Sequence, residues 1–444
     1  MSEYTVLITG ANSGLGFSTC CRLIDEFLST RPPTQTLRLI FTTRSRSKND
    51  DTAARLSAHL ARTIQAVYGS EAKTSSIRAL QAKRIRIEGE QADLCSLVSV
   101  KRLGERLRER GTRVDVLVCN AGIGGWLGLR WGSAIWGMLT RMTEACTFPW
   151  YKIGEVGRVV QRQGGGEGEE EPALGETFTA NVFGHYLLAH WLAPVMRRGE
   201  GEALARVVWV SSIEAFDKFF DVEDLQALKV DYSYESSKRL TDLLVLTSEL
   251  PSTRRYVEGF FSTGPEGKAT SLSMRESTDA IVVDTEGTTR PQMYVSHPGI
   301  CVTSISGIPW FMVYLNIAAL YLVRWAGSPW HPISSYVAAV STTWLALAAP
   351  ETLDQLEGEE GKGKWGAATD RMGNERVVRT ETDGWGWGGM EGEKPDKFWK
   401  LETRKGRDKV YTREEREEFE AKGAKVWREM EVLRQHWEER LKDY

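Results

Sequence analysis

YTVLITGANSGLG, residues 4–16, decides the fold class. Tyr4–Thr9 is an unbroken apolar run of the kind that suits a strand buried on both faces of a parallel sheet. A Gly-rich turn follows, made of Thr9, Gly10, Ser13, Gly14, Leu15 and Gly16, and a helical pattern continues from Leu15 to about Phe27. Glycines there admit positive φ and let a backbone approach a phosphate closely. The N-terminus of the next helix offers free N–H groups and the positive end of its dipole. Alone, the octamer could be a tight turn with no ligand. Between a first strand and a helix it stands where a dinucleotide would be held.

The pattern repeats outward from this start. Leu37–Thr43 (LRLIFTT), Arg84–Glu88 (RIRIE), Val114–Cys119 (VDVLVC), Arg206–Ser211 (RVVWVS) and Gln292–His297 (QMYVSH) read as further strands. Helical spacing at Val98–Arg110, Phe178–Met196 and Tyr234–Glu249 separates them. Strands alternating with helices predict an α/β fold, a Rossmann-like, doubly wound parallel sheet. Residues 1–350 form that domain in this reading. Two insertions interrupt it, about 123–176 and 254–290, and an apolar segment fills 299–350. The first insertion ends in a Gly/Glu stretch expected to be a loop. The second is polar and poor in periodicity.

Composition narrows the classes. The chain has 444 residues, 41% hydrophobic and 26% charged, with a net charge of −3. Such a balance disfavours nucleic-acid binding. No Cys or His cluster has metal-ligand spacing, so no metal site is expected. Reduced cysteines and the lack of a secretory signal suit a protein facing the cytosol. Residues 351–444 hold 20 Lys and Arg and 24 Asp and Glu, which makes Pro350 the sharpest shift in composition. This extension is charged and partly helical. Thr412–Leu441 is its helix, with Phe419, Val426, Trp427, Met430, Leu433 and Trp437 on a stripe that would pack on the body or on a partner.

Thr43-Arg44-Ser45-Arg46-Ser47-Lys48 ends the second strand. An acidic residue there would receive the ribose hydroxyls of NAD, whereas a basic cluster matches a 2′-phosphate. Arg44 leads this cluster, with Arg46 or Lys48 assisting, and Thr42 precedes it. Tyr234 and Lys238 form a Tyr-x-x-x-Lys on one helix face. A neighbouring cation would favour the phenolate of a tyrosine. Ser211-Ser212 ends the fifth strand, Asn120-Ala121-Gly122 the fourth, Asp93-Leu94 the third and Pro298-Gly299 the sixth, and Asn181 lies in a helix between them.

This ordered set resembles the short-chain dehydrogenase/reductase family, over about residues 1–304 apart from the insertions. The resemblance implies NADP(H) as cofactor and a proton donated by Tyr234. It implies that Lys238 lowers the pKa of that phenol and holds the nicotinamide ribose. Ser212 would hydrogen-bond the carbonyl, and Asn181 would support a water-linked proton path. Thr9, Gly10, Ser13, Gly14, Leu15, Gly16, Thr42, Arg44, Lys48, Asp93, Asn120, Gly122, Pro298, Gly299 and Thr303 would touch the cofactor. One departure is the Ser–Tyr spacing, which is about nine residues longer than the family's, within Glu214–Asp231. Phe216, Phe219 and Phe220 there either line a cleft or pack.

YESSKRLTDLL (234–244), AGSPWHPISS (326–335), NVFGHYLL (181–188) and GKWGAATDRMGNER (363–376) add a closer resemblance, to fungal reductases of 3-keto sterols. It implies reduction of a 4-demethylated sterol ketone in ergosterol synthesis and an address at the cytosolic face of the endoplasmic reticulum or at lipid droplets. Other enzymes of sterol C-4 demethylation would be its partners. The residues agree with a greasy substrate. Trp126, Trp131, Trp136 and Trp150 fall in the first insertion, and Gly299–Val323 carries no charge. Ile305–Val323 either spans a membrane, lies on its surface or packs in the core. Val337–Ala349 is expected to be a core helix.

Overall fold

A computed structural model describes residues 2–69, 75–163, 171–262, 288–302, 310–390 and 411–444. In chain order the elements begin with β1 (Ser2–Ile8), α1 (Gly14–Thr30), β2 (Gln35–Thr43), α2 (Arg46–Tyr68), α3 (Ser75–Ala82), β3 (Ile85–Gln91), α4 (Leu97–Glu109) and β4 (Val116–Cys119). The first insertion supplies β5 (Trp126–Leu129), α5 (Trp131–Thr140), α6 (Met142–Thr147) and β6 (Lys152–Gly154). Then come α7 (Glu176–Phe178), α8 (Gly184–Met196), β7 (Arg198–Gly199), β8 (Arg206–Val210), α9 (Ser233–Leu246), α10 (Arg254–Phe261), β9 (Thr288–Thr289) and β10 (Gln292–His297). The chain closes with α11 (Trp310–Trp325), α12 (Ser335–Ala338), α13 (Val340–Leu347), α14 (Pro350–Glu360), β11 (Lys364–Thr369), β12 (Glu375–Thr380) and α15 (Arg413–Arg440).

Eight strands form one sheet in the order β12-β11-β10-β8-β4-β1-β2-β3, parallel throughout except for the antiparallel edge strand β12. Alternate residues of each strand feed opposite faces, as the pleat requires. Leu7, Leu117, Val207, Trp209, Met293 and Val295 join α4, α8, α9 and α15 in one core. Val6, Ile8, Val116, Val118, Val208, Val210 and Tyr294 join α1, α2 and α13 in the other. The six predicted strands and the predicted helices all appear. Order reverses between β1 and β4, since β2 and β3 run to one side of β1 and the later strands to the other. In such sheets the crevice at the carboxyl ends of the strands beside that reversal receives the ligand.

Two sequence expectations change, and a third, left open, is decided. Residues 351–444 do not stand outside the sheet. Lys364–Thr369 is a wholly buried strand beside β10, and Glu375–Thr380 closes that edge. High local charge hides this strand from a composition count. Within the second insertion, Arg254–Phe261 is helical and buries Val257, Phe260 and Phe261. Eight residues are too few for periodicity to stand out. The stripe of α15 packs on the body, where Trp427 donates to the Leu244 carbonyl at 3.1 Å and Thr412 with Glu415 closes a capping box. The Gly/Glu stretch 164–170, Thr303 and residues 303–309 lie outside the described residues. Among the described residues no helix is long and apolar enough to cross a membrane.

Candidate active site

Thr9 is the knot of the Gly-rich turn. Its hydroxyl oxygen accepts from the N–H groups of Asn120 and Ala121, both at 3.0 Å. Burial pushes the His185 imidazole down to about 3, so the ring is neutral. A carbonyl only accepts, so His185 Nδ1–H donates to the Asn181 carbonyl (3.2 Å), leaving Nε2 to accept the Thr9 proton (2.7 Å). Asn120 Nδ2 donates to the Thr9 carbonyl at 2.9 Å. Thr42 is buried, and its hydroxyl accepts from Gly10 N at 3.2 Å, so it supports the turn from beneath. The β1, β2 and β4 ends are thereby tied together.

The turn has the shape a dinucleotide needs. Gly10 has φ +68°, and a Cβ on it would stand 2.7 Å from the Ala121 side chain. A Cβ on Gly16 would stand 2.4 Å from both the Gly10 carbonyl and Asn120 Nδ2. No side chain caps the first N–H groups of α1, and Ser13 at its N-cap is extended. Arg44 and Lys48 are exposed beyond β2, where a 2′-phosphate would lie. Asp93 is half-buried beyond β3, its carboxylate accepting from Cys95 N at 3.0 Å. Gly299, after Pro298, has φ +62° and donates to His297 Nδ1 at 3.1 Å. These residues fit NADP(H): open donors for the pyrophosphate, glycines for its approach and a cation for the extra phosphate.

At the ends of β8 and α9 the two adjacent serines separate. Ser211 Oγ turns inward and donates to Asp242 Oδ1 at 2.6 Å. The Ser212 hydroxyl faces the Tyr234 phenol and favours its ionised form, and its Oγ accepts from Glu214 N at 3.2 Å. Lys238 stands one turn beyond Tyr234, its Nζ 5.6 Å from the phenol ring and donating to the Val210 carbonyl at 2.8 Å. Burial brings this ammonium down to about 8; Asp242 opposes that and Lys364 adds to it. The spacing argument expects the cation to bring the phenol down, yet the net direction for Tyr234 is up. Burial is the largest cause, the Glu214 and Glu235 carboxylates add to it, and the Ser212 hydroxyl works the other way.

Asn181 sits in a single π-turn, Thr179–Phe183, between α7 and α8. Its side chain accepts from Ile123 N at 2.8 Å and donates to the Ile123 carbonyl and to Ser237 Oγ, both at 3.0 Å. Gly122 is shaped by it, since a Cβ there would meet Asn181 Oδ1 at 2.9 Å. The π-turn is what carries this amide out of helical register to reach the backbone after β4.

Several residues at the site lie beyond sequence reasoning. Lys364, on β11, donates to the Ser212 carbonyl and pairs with Asp242, both at 2.6 Å. Lys152, on β6, contacts Glu214 and Glu235. Trp126 meets the Tyr234 ring edge-on at 4.9 Å between centroids. These partners are 62 to 152 residues apart, and no motif joins them. Phe216 packs edge-on with both Phe148 and Phe219. The arrangement offers a proton donor and a second donor at one point, beside a turn fit for a dinucleotide, as carbonyl reduction requires.

No protein-family model matches the chain. The chain is similar to 3-keto-steroid reductase erg27 of Aspergillus fumigatus, 42% identical over 443 residues covering 98% of this chain and 94% of that protein. It is 37% identical to 3-keto-steroid reductase ERG27 of Gibberella zeae, over 98% of this chain and 94% of that one. Identity is 31% to the erg27 protein of the same name in Schizosaccharomyces pombe, over 85% of this chain and 90% of that one. A solved short-chain type dehydrogenase/reductase from Mycobacterium ulcerans, 13% identical, superposes over 79% of this chain and 86% of that one with a TM-score of 0.41.

Proposed function

The chain belongs to the 3-keto-steroid reductases, within the short-chain dehydrogenase/reductase family, and on that premise we propose that it reduces the 3-keto group of a sterol with NADPH. The observation that carries the reading is the meeting of Ser212, Tyr234 and Lys238 beside the Gly-rich turn, at the crevice beside the reversal of strand order. When bound, the nicotinamide supplies the hydride that C3 receives. Tyr234 gives its phenolic proton to the ketone oxygen as the C=O π bond becomes the new O–H bond. Ser212 donates a second hydrogen bond to that oxygen, where charge develops. A phenol held above its ordinary value is protonated at neutral pH, as a donor must be. Lys238 would hold the nicotinamide ribose, and Asn181 keeps the Ile123 backbone and Ser237 in place.

The substrate in this reading is a 4-demethylated sterol ketone of ergosterol synthesis, and the enzyme works at the cytosolic face of the endoplasmic reticulum or on lipid droplets, beside other enzymes of C-4 demethylation. A specific surface favours the lipid contact. Leu127, Trp131, Ile135, Trp136 and Leu139 of the first insertion are exposed, as are Tyr314, Leu315, Leu322 and Trp325 of α11. Met138, Met142 and Cys146 pack with Leu320 and Val323, joining the two sets of helices. An exposed apolar surface of this extent marks an interaction site. Flotation of the purified chain with phospholipid vesicles tests this contact; a chain left entirely in the bottom fraction would end the idea.

Cofactor choice gives the test of the reduction. The purified chain should oxidise NADPH in preference to NADH, and only with a 3-keto sterol from a panel of lipid carbonyls. Arg44→Asp should raise KM for NADPH by about tenfold or more, the loss of one charge-assisted contact. An unchanged preference would remove Arg44 from the phosphate site.

A further inference from the structure

Lys152 lies on β6, opposite Leu129 in the two-stranded hairpin that carries Trp126 at its other end. Its ammonium is 2.7 Å from both Glu214 oxygens and 3.0 Å from Glu235 Oε1. All three donors of the ammonium are engaged. The three side chains are only 8%, 10% and 9% exposed, so this is a buried cluster of two carboxylates and one cation. The same Nζ lies 4.1 Å from the Trp126 ring centroid and 5.3 Å from that of Tyr234. The hairpin is also fastened where α9 begins. Gly154 N donates to the Asp231 carbonyl at 2.8 Å, and Arg130 pairs with the Asp231 carboxylate. Glu214 opens the lengthened stretch between Ser212 and Tyr234, and Glu235 directly follows the tyrosine.

We infer that Lys152 is a positioning residue of the reductase: it presses the Trp126 hairpin onto Tyr234 and balances the two carboxylates that the phenol faces. The inference rests on the assignment of Tyr234 as proton donor. The groups facing the phenol are Ser212 after β8, Glu214 in the loop beyond it, Glu235 and Lys238 on α9, Lys152 and Trp126 on the hairpin, and Cys301 after β10. Burial keeps the Cys301 thiol up at about 12, so it is neutral. Removing the Lys152 charge leaves the two carboxylates unbalanced and makes the phenol harder to ionise. Removing the Glu214 charge does the reverse.

The experiment is the pH profile of the reverse reaction, alcohol oxidation with saturating NADP and a 3-hydroxy sterol, where the phenolate must take the proton. Lys152→Met should move the rising limb up by about one pH unit. Glu214→Gln should move it down, and Lys152→Arg should return it towards the parent. Limbs at one pH in all variants, with only the rate lowered, would reduce the cluster to a structural clamp and overturn the inference. Should the parent show no sterol turnover, the proposed function fails separately. The tyrosinate difference spectrum between each background and its Tyr234→Phe variant then reads the same shifts, and equal midpoints there would overturn the inference.

Discussion

At the scale of single residues, the site depends on buried polar groups that leave few bonding positions open. Thr9 shows it: one hydroxyl donates to His185 and accepts from two backbone N–H groups. Lys364 shows it more severely, because its partners Asp242 and the Ser212 carbonyl lie in the core. Taking away one member of a buried ion pair strands the other's charge, whereas replacing both with apolar groups is often neutral. Lys364→Met should therefore cost about 3–5 kcal/mol of stability, read by urea unfolding. Adding Asp242→Leu should recover most of it. A single variant as stable as the parent would show that the pair does not hold this part of the core. Tyr234 and Lys238 were marked by their spacing and order, and Ser212 by its place at the end of a strand. Lys364 and Lys152 were not, because a lone lysine 122 or 62 residues from its carboxylate carries no local signal.

At the scale of elements, strands and helices with strong periodicity were readable, and the failures have physical causes. β11 runs KWGAAT, and its lysine is buried in an ion pair, so neither alternation nor hydropathy marks it. α10 is an eight-residue helix whose apolar residues face inward. The exposed helices α5 and α11 are the reverse case, apolar outside a packed context. Trp136 is 67% exposed and Leu139 79%. Helices that rest on a bilayer bury such side chains near the headgroups, with Trp favoured there. The double variant Trp136→Asp with Leu139→Asp should remain folded and lose most of its flotation with vesicles. Flotation equal to the parent's would take α5 out of the contact.

At the scale of the molecule, the charged C-terminal part is built into the reductase. β11 and β12 complete the sheet, Lys364 reaches the backbone of Ser212, and α15 covers α9 with Phe419, Val426, Trp427, Met430 and Trp437. Most of the tail's tryptophans find a use there: Trp365, Trp385, Trp427 and Trp437 are buried against the body. Those of the insertion divide between Trp126, on the phenol, and the exposed Trp131, Trp136 and Trp150. Composition alone marks a boundary at Pro350, while the sheet continues past it. The central claim is that Tyr234 gives the proton in reduction of a 3-keto sterol. It is tested most directly by incubating the purified chain and its Tyr234→Phe variant with NADPH and a 3-keto sterol, and measuring the 3-hydroxy sterol by mass spectrometry. The account predicts product from the parent and a loss of about a hundredfold or more in the variant. Equal product from both would contradict it.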